Sequence, residues 1–484
     1  MRKCLQILLF CLLPFAVHAR IIPLTLLFTS DLGGRLASED SPGGLFQCAT
    51  LIRDVRARER NVMLIDCGDA VPGSFVSSFT EGKAVRDAME FLKYDACIPG
   101  RRDLDCGMDV YENLFKTSSI PVLAANVRPA GFMRPLMVDE IDGIRVVVIG
   151  LACPVLDDCH LPDQLGSFQV SGSVDALADI MPSVRDMNPD VVILTTHQAW
   201  QEYDGEGSEI NAIVRRFPEI DVILGGRRYQ PDNRRLSDTT YYAQAGTGGN
   251  YLGRVELVYD NVTRTVREVS GGARPVTGSI PADPELKSLL ALDIERAKDE
   301  SGKVIACLKT PLAGDSLAAA AVMARCGADA VMLDDLPSRT FPAGPVTMED
   351  VWDLVPHERN IAVISVTPPQ MDGILEEEAK YIRKTARLNI KGLSWAQNDE
   401  LEAGSRVDQL RMGDGSFIHP RKLLRTAAAD VTLASSCGRR PHLRALTEDP
   451  SCRLEMTGVK MRDAVLEYLR ANYPCAGKAS AAKK

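Results

Sequence analysis

LTLLFTSDLGGRL, residues 24–36, is an apolar run that stops abruptly at Ser30-Asp31 and two glycines. It reads as a strand that carries a carboxylate at its end. The same form returns along the first half of the chain. IPLTLLFT, NVMLIDC, IPVLAANV, IRVVVIGLA, PDVVILTTH and IDVILGG are rich in Val, Ile and Leu and end in polar or glycine residues. Near-continuous apolar strands imply a sheet covered on both faces, hence α/β layering. Helical candidates lie between them, at 45–60 and 82–93. LGRVELVYDNVTRTVREVS at 252–270 alternates around Asp260-Asn261 and reads as a hairpin closing the domain.

Composition bounds the rest. At 484 residues, with 45% hydrophobic and 25% charged residues, the chain is an ordinary globular protein of two or three domains. Residues 1–19 read as a secretory signal: Arg2 and Lys3, then LQILLFCLLPFAV, then Val17-His18-Ala19 before Arg20. That stretch is short for a membrane span, so an exported, periplasmic or extracellular protein without stable membrane insertion is expected. Without it the formal charge moves from −9 to −11 (54 − 65), which leaves no electrostatic footprint for nucleic acid. Removing Cys4 and Cys11 from thirteen cysteines leaves eleven, an odd count. Cys153 with Cys159 is the favoured local disulfide, and Cys437 with Cys452 the next.

Five segments carry the chemistry: LTLLFTSDLGGRL, LIDCGDA at 64–70, IPGRRDLDCG at 98–107, VVILTTHQ at 191–198 and DVILGGRRY at 221–229. Their order resembles the 5'-nucleotidase branch of the calcineurin-like metallophosphoesterases, where the usual forms are TNDLHG, DAGD, GNHEFDYG, a strand ending in a lone His, and GGHTH. The resemblance implies a four-layer α/β/β/α sandwich followed by a C-terminal α/β domain of 5'-nucleotidase type. The expected organisation is a signal at 1–19, a metallophosphoesterase-like domain at 20–270, a linker and helix at 271–299, the C-terminal domain at 300–475 and a tail at 476–484. The linker reading rests on GGARPVTGSIPAD at 271–283, and a helix capped by Asp283 is expected from Pro284 to about Lys298. The second half carries the resemblance in 327–356, 360–377 and 457–474, the last read as a helix.

Two-metal hydrolysis needs carboxylates and imidazoles that share a bridging ligand and hold a water. Carried across, the family's ligand positions retain Asp31, Asp69 and His197, two of four protein ligands at each metal. The others have become Gly33, Arg101, Arg227 and Tyr229. Arginine stays protonated and donates only, so it cannot ligate. A guanidinium about 4 Å from a dication would cost about 8 kcal/mol at an effective dielectric of 20. The same guanidiniums could instead neutralise Asp31 and Asp69. Arg102 stands where the family has a His that assists the transition state. It can supply charge there but no proton. Alternatively, Arg101 and Arg102 pair with Asp103 and Asp105 in their own loop.

In the family the second half recognises the nucleotide. Arg339 falls where its arginine should be, His357 lies in Pro356-His357-Glu358-Arg359-Asn360 in place of an aromatic, and CGRRPH at 437–442 lacks the second aromatic. Both base-stacking faces are therefore absent, at about 1–3 kcal/mol per base contact. The expected function is a catalytically inactive family member with no cofactor. Its cleft, formed by Arg101, Arg102, Arg227, Arg228, Arg339, His357, Arg439 and Arg440, would take a small anion, a phosphate ester or a protein partner. The alternative is a phosphoester hydrolase using a divalent ion (Mn, Zn, Co or Mg) at Asp31, Asp69 and His197.

Overall fold

Along the strand Ile21–Thr29 successive side chains enter different cores. Leu24, Leu26 and Phe28 pack with Val146, Val148, Ile193 and Leu224, whereas Leu27 packs with Leu45, Ile52 and Ala84. The period-two alternation of a strand thus feeds two separate cores. This computed structural model describes residues 20–475 apart from 38–42, 72, 106, 162–164, 206, 335, 381–387 and 435–439. The expected signal and the tail at 476–484 lie outside the described residues.

The first sheet has the order Thr265–Pro275, Tyr251–Asp260, Ile21–Thr29, Val62–Asp66, Ala96–Cys97. The second has the order Asp232–Arg235, Tyr241–Gln244, Val222–Gly225, Val191–Thr196, Ile144–Leu151, Leu136–Ile141. The sheets face each other across one shared core. Helices Leu45–Arg58 and Lys83–Phe91 cover the first sheet, and Ser173–Asp186 and Ile210–Arg216 cover the second. These are the four expected layers.

A third sheet forms the C-terminal domain, in the order Asn389–Lys391, Ala330–Leu333, Leu424–Ala429, Asn360–Val366, Glu455–Lys460. Helices Gly314–Cys326, Met348–Leu354 and Met461–Asn472 cover one face, and Pro368–Ala379 and Pro441–Glu448 the other. The domains interlock. Leu161 of the first half is 2% exposed and belongs to the core beneath Pro368–Ala379. The Phe75 ring lies 4.8 Å from that of Trp352. Leu161→Ala is expected to destabilise the protein by about 2–5 kcal/mol, read by chemical denaturation, although the residue is remote in sequence from the core it fills.

Several expectations change. The strand Thr265–Pro275 runs five residues into the expected linker. A Cβ on Gly271 would lie 2.2 Å from Arg254 O, so only glycine fits against the neighbouring strand there. Asp283 caps its helix through Leu286 N at 2.8 Å, but the helix breaks at Leu290 into Pro284–Leu289 and Ala291–Ser301. IPVLAANV forms only isolated bridges at Val122 and Leu123 and a two-residue strand at Val127–Arg128. In the 457–474 segment the helix starts at Met461, after the strand Glu455–Lys460. The disulfide assignments also change. Cys153 and Cys452 are free thiols, Cys159 is disulfide-bonded but not to Cys153, and Cys307 bonds Cys475 across 168 residues.

Candidate functional site

Asp31, Asp69, His197 and Arg227 each follow the end of a strand, and parallel pairing brings those ends together. Thr29 pairs with Asp66, and Thr195 with Leu224. Asp31, Asp69 and Arg227 hold left-handed backbones, with φ of 50°, 57° and 74°. Such conformations cost about 1–3 kcal/mol each and persist where the surroundings over-determine them. Here Asp31 N donates to Gly68 O at 2.8 Å, Gly248 N donates to Asp31 O at 2.8 Å, and Gly33 N donates to Asp69 O at 2.9 Å. Gly100 must be glycine, because a Cβ would lie 2.3 Å from Asp69 Oδ1.

The cation touching both carboxylates is His197. Its Nε2 lies 3.3 Å from Asp69 Oδ2 and 3.9 Å from Asp31 Oδ1, and its Nδ1 contacts Cys67 O at 2.8 Å. Burial opposes its charge, but Asp69 and Asp31 outweigh burial and raise its pKa to about 10. Burial likewise disfavours the charged form of Asp69, yet His197, Arg101 and Arg102 hold it below the ordinary carboxylate range. Asp31 is raised to about 6, chiefly by burial. Without an ion, the cluster is an imidazolium between two carboxylates.

The arginines reach these carboxylates through their backbones. Arg102 N donates to Asp69 Oδ1 at 2.6 Å and Arg227 N to Asp31 Oδ2 at 2.8 Å. Among the described residues, the ion pairs within 4 Å of Asp31 and Asp69 come from His197. The expectation that guanidiniums pair directly with both acids is thus corrected, although the charges of Arg101 and Arg102 still act on Asp69: a left-handed turn at Arg227 and a right-handed turn at Arg101-Arg102 aim N–H groups at the acids. Arg227 Nη1 donates to Gly207 O at 3.1 Å, while Arg228 and Tyr229 are exposed, Tyr229 at 78%. The alternative pairing is also excluded for Asp103, whose carboxylate accepts the N–H groups of Asp69, Gly100 and Val71.

The C-terminal domain closes over Arg102. His357 and Arg359 enter from it, and Arg359 Nη1 lies 3.6 Å from Asp105 Oδ2. His160 Nε2 stands 3.7 Å from Asp105 Oδ1. Burial, then Arg102 and Arg359, push His357 down to about 3, so its ring is neutral. Asp103 and Asp105 stood in the sequence only as pairing partners for the loop arginines, and His160 and Arg359 were not legible as site residues, because nothing local in the sequence marks contacts between segments so far apart. Other expected cleft residues lie in different surroundings. Arg339 pairs with Asp350 and, at 2.5 Å, with Asp353. Arg440 is corrected outright: it is 1% exposed and bonded to Glu378 within its own domain. His442 N donates to Glu377 Oε1 at 2.9 Å, and Arg439 lies outside the described residues.

The family model "5'-nucleotidase, C-terminal domain" matches residues 300–438. The snake venom 5'-nucleotidase of Crotalus adamanteus is 26% identical over 303 residues, covering 56% of this chain and 48% of that protein. Protein UshA of Yersinia enterocolitica is 23% identical over 480 residues, covering 86% of each chain. A structure of a putative 5'-nucleotidase from Staphylococcus aureus superposes with a TM-score of 0.80 at 16% identity, covering 93% of this chain and 97% of that one. The chain carries a 5'-nucleotidase C-terminal domain and is similar to 5'-nucleotidases over most of its length. It spans about half the length of the snake venom relatives it matches.

The 5'-nucleotidase resemblance implies a pair of metal ions, and the donor set does not fit a pair. Gly33 has no side chain, Arg101 and Arg227 cannot ligate, and Tyr229 faces solvent. One ion does fit. Ligand atoms of Asp31, Asp69 and His197 lie within 4.8 Å of one another, three protein donors being a common complement for a catalytic ion. With Nδ1 held by Cys67 O, the Nε2 lone pair of His197 can take either a proton or an ion.

Proposed function

We propose that this 5'-nucleotidase-family protein no longer performs two-metal hydrolysis and instead binds an anion, a phosphate ester or a protein partner in its arginine-bearing cleft. The observation that carries the reading is His197, which supplies the cation between Asp31 and Asp69 while backbone N–H groups of Arg102 and Arg227 take further carboxylate oxygens. The acids are thus compensated without a metal. A second reading, hydrolysis of phosphate esters with one ion, is favoured by the convergence of Asp31, Asp69 and His197 within 4.8 Å. In that case the ion would supply a Lewis acid, and Arg102 would orient an anionic substrate without donating a proton.

We place the protein outside the cytoplasm. The observation that supports this is the Cys307–Cys475 disulfide with a further one at Cys159; among the described residues no helix is long and apolar enough to cross a membrane. Nucleic acid is not among its partners on this reading, given the acidic charge of −9.

The test is phosphate release from nucleoside 5'-monophosphates and generic phosphate esters with Mn²⁺, Zn²⁺, Co²⁺ or Mg²⁺, against an Asp69→Ala control. No release above the control is expected. Metal-dependent turnover that disappears in Asp69→Ala would replace the first reading with the second.

A further inference from the structure

Next to the Asp31–Asp69–His197 cluster, where the domains meet, four enclosed polar atoms have no hydrogen-bond partner among the described residues. They are Arg102 Nη1, Asp105 Oδ2, His160 Nε2 and His357 Nδ1. An unmade hydrogen bond at a buried group costs about 1–3 kcal/mol, and more at a charged one. Several together mark a place suited to a polar ligand. The charges there lean positive. Arg102 and Arg359 both act on His357, and Arg101 acts on it from the same loop as Arg102. Two acids face them: Asp69 beside Arg101 and Arg102, and Asp105 at ion-pair rather than hydrogen-bond distance from Arg359 and His160. The neighbouring acids are otherwise engaged: Asp430 accepts from Asn360 at 2.9 Å, and Glu358 lies 3.7 Å from Arg462.

Asp105 Oδ2 is itself an acceptor and has Arg359 as its counter-charge, so the atoms left for a ligand are the donors Arg102 Nη1 and His357 Nδ1, which call for an anion with acceptor oxygens. Donors arrive from both domains, Arg102 from the first and His357 and Arg359 from the second. That suits a tetrahedral oxyanion, with oxygens on all sides, better than a flat carboxylate. The neutral His357 ring can donate one N–H without adding charge, and guanidinium–phosphate hydrogen bonds are among the stronger ones in proteins.

We propose that this interdomain cluster binds a phosphate group, free or at the end of an ester, without a metal ion, with Arg102 and His357 as donors and Arg359 as the second guanidinium. The proposal deepens the anion-binding reading and rests on it. None of these three side chains has a metal-ligating role in that reading, so binding survives chelation. Because the donors belong to different domains, the bound phosphate also ties the domains together.

Calorimetric titration with inorganic phosphate in excess EDTA tests this on the whole protein, on Arg102→Met and on His357→Ala, with Arg185→Ala as a distant control. Circular dichroism checks each fold, and His357→Ala keeps the test decisive if Arg102→Met fails to fold. Binding in EDTA is expected, at least tenfold weaker in both cluster variants and unchanged in the control. Adenosine 5'-monophosphate that competes with phosphate identifies an ester as a source, and failure to compete identifies free phosphate. No phosphate binding in EDTA, or binding by both cluster variants as tight as that of the wild-type protein, overturns the proposal. Metal-dependent phosphate release alongside EDTA-resistant binding would instead remove the non-hydrolytic reading and leave this site standing.

Discussion

His197→Gln, measured by chemical denaturation in EDTA at pH 7, is expected to lose about 3–5 kcal/mol of stability, the usual cost of removing one partner of a buried ion pair. The ring is fully buried, and Asp31 and Asp69 would be left facing each other. The pH dependence follows from the raised pKa. A histidine whose pKa rises from 6.5 to about 10 on folding stabilises fully below pH 6.5, and that stabilisation is lost as pH climbs towards 10. The wild-type curve should therefore fall between pH 7 and 9 more steeply than the His197→Gln curve. The difference between the two curves isolates the ring, since buried thiols such as Cys48, raised to about 12, begin to cost stability above pH 9. Asp31, raised to about 6, acts in a lower window: its burial penalty grows as pH rises from 3.8 to 6. Parallel curves between pH 7 and 9 would show that His197 is not the cation of the cluster.

Arg440→Met is expected to cost a comparable 3–5 kcal/mol, about as much as any broken buried pair, while leaving phosphate affinity unchanged. Arg440 Nε donates to Glu378 Oε1 at 2.5 Å, and both side chains are enclosed, at 1% and 3% exposure. The substitution strands a carboxylate in the core. Adding Glu378→Leu should recover most of the loss, because the stranded charge goes as well. A remainder of about 1 kcal/mol is expected, since Glu378 Oε2 also accepts Leu388 N at 2.8 Å. Denaturant midpoints of the single and double variants settle the point. Weakened phosphate binding in Arg440→Met with unchanged stability would return this arginine to the cleft.

The layered fold was legible because strands such as Val191–Thr196, buried on both faces, leave unbroken apolar runs. The convergence of Asp31, Asp69 and His197 followed from their places at strand ends in one order. Side-chain direction did not follow. Whether Arg102 or Arg227 presents a guanidinium or an N–H depends on the local turn, right-handed at Arg102 and left-handed at Arg227, and on what the other domain offers. Arg440 looked like a cleft residue because its partner, Glu378, lies 62 positions away. The Cys307–Cys475 bridge was missed for the same reason, with 168 residues between its ends, whereas nearby cysteines such as Cys153 and Cys159 suggested a pairing that geometry did not make.

The seating of Leu161 in the opposite half bears on how the molecule would tolerate damage. A protease cutting in the exposed stretch around Gly278 would sever the chain's connection between halves without separating them, because the knob and its socket stay engaged. Each half made alone would lack its complement: one would present a bare leucine to water, the other an empty apolar hollow. Co-expressed fragments should therefore reassemble, and a nicked preparation should elute in gel filtration at the size of the intact protein.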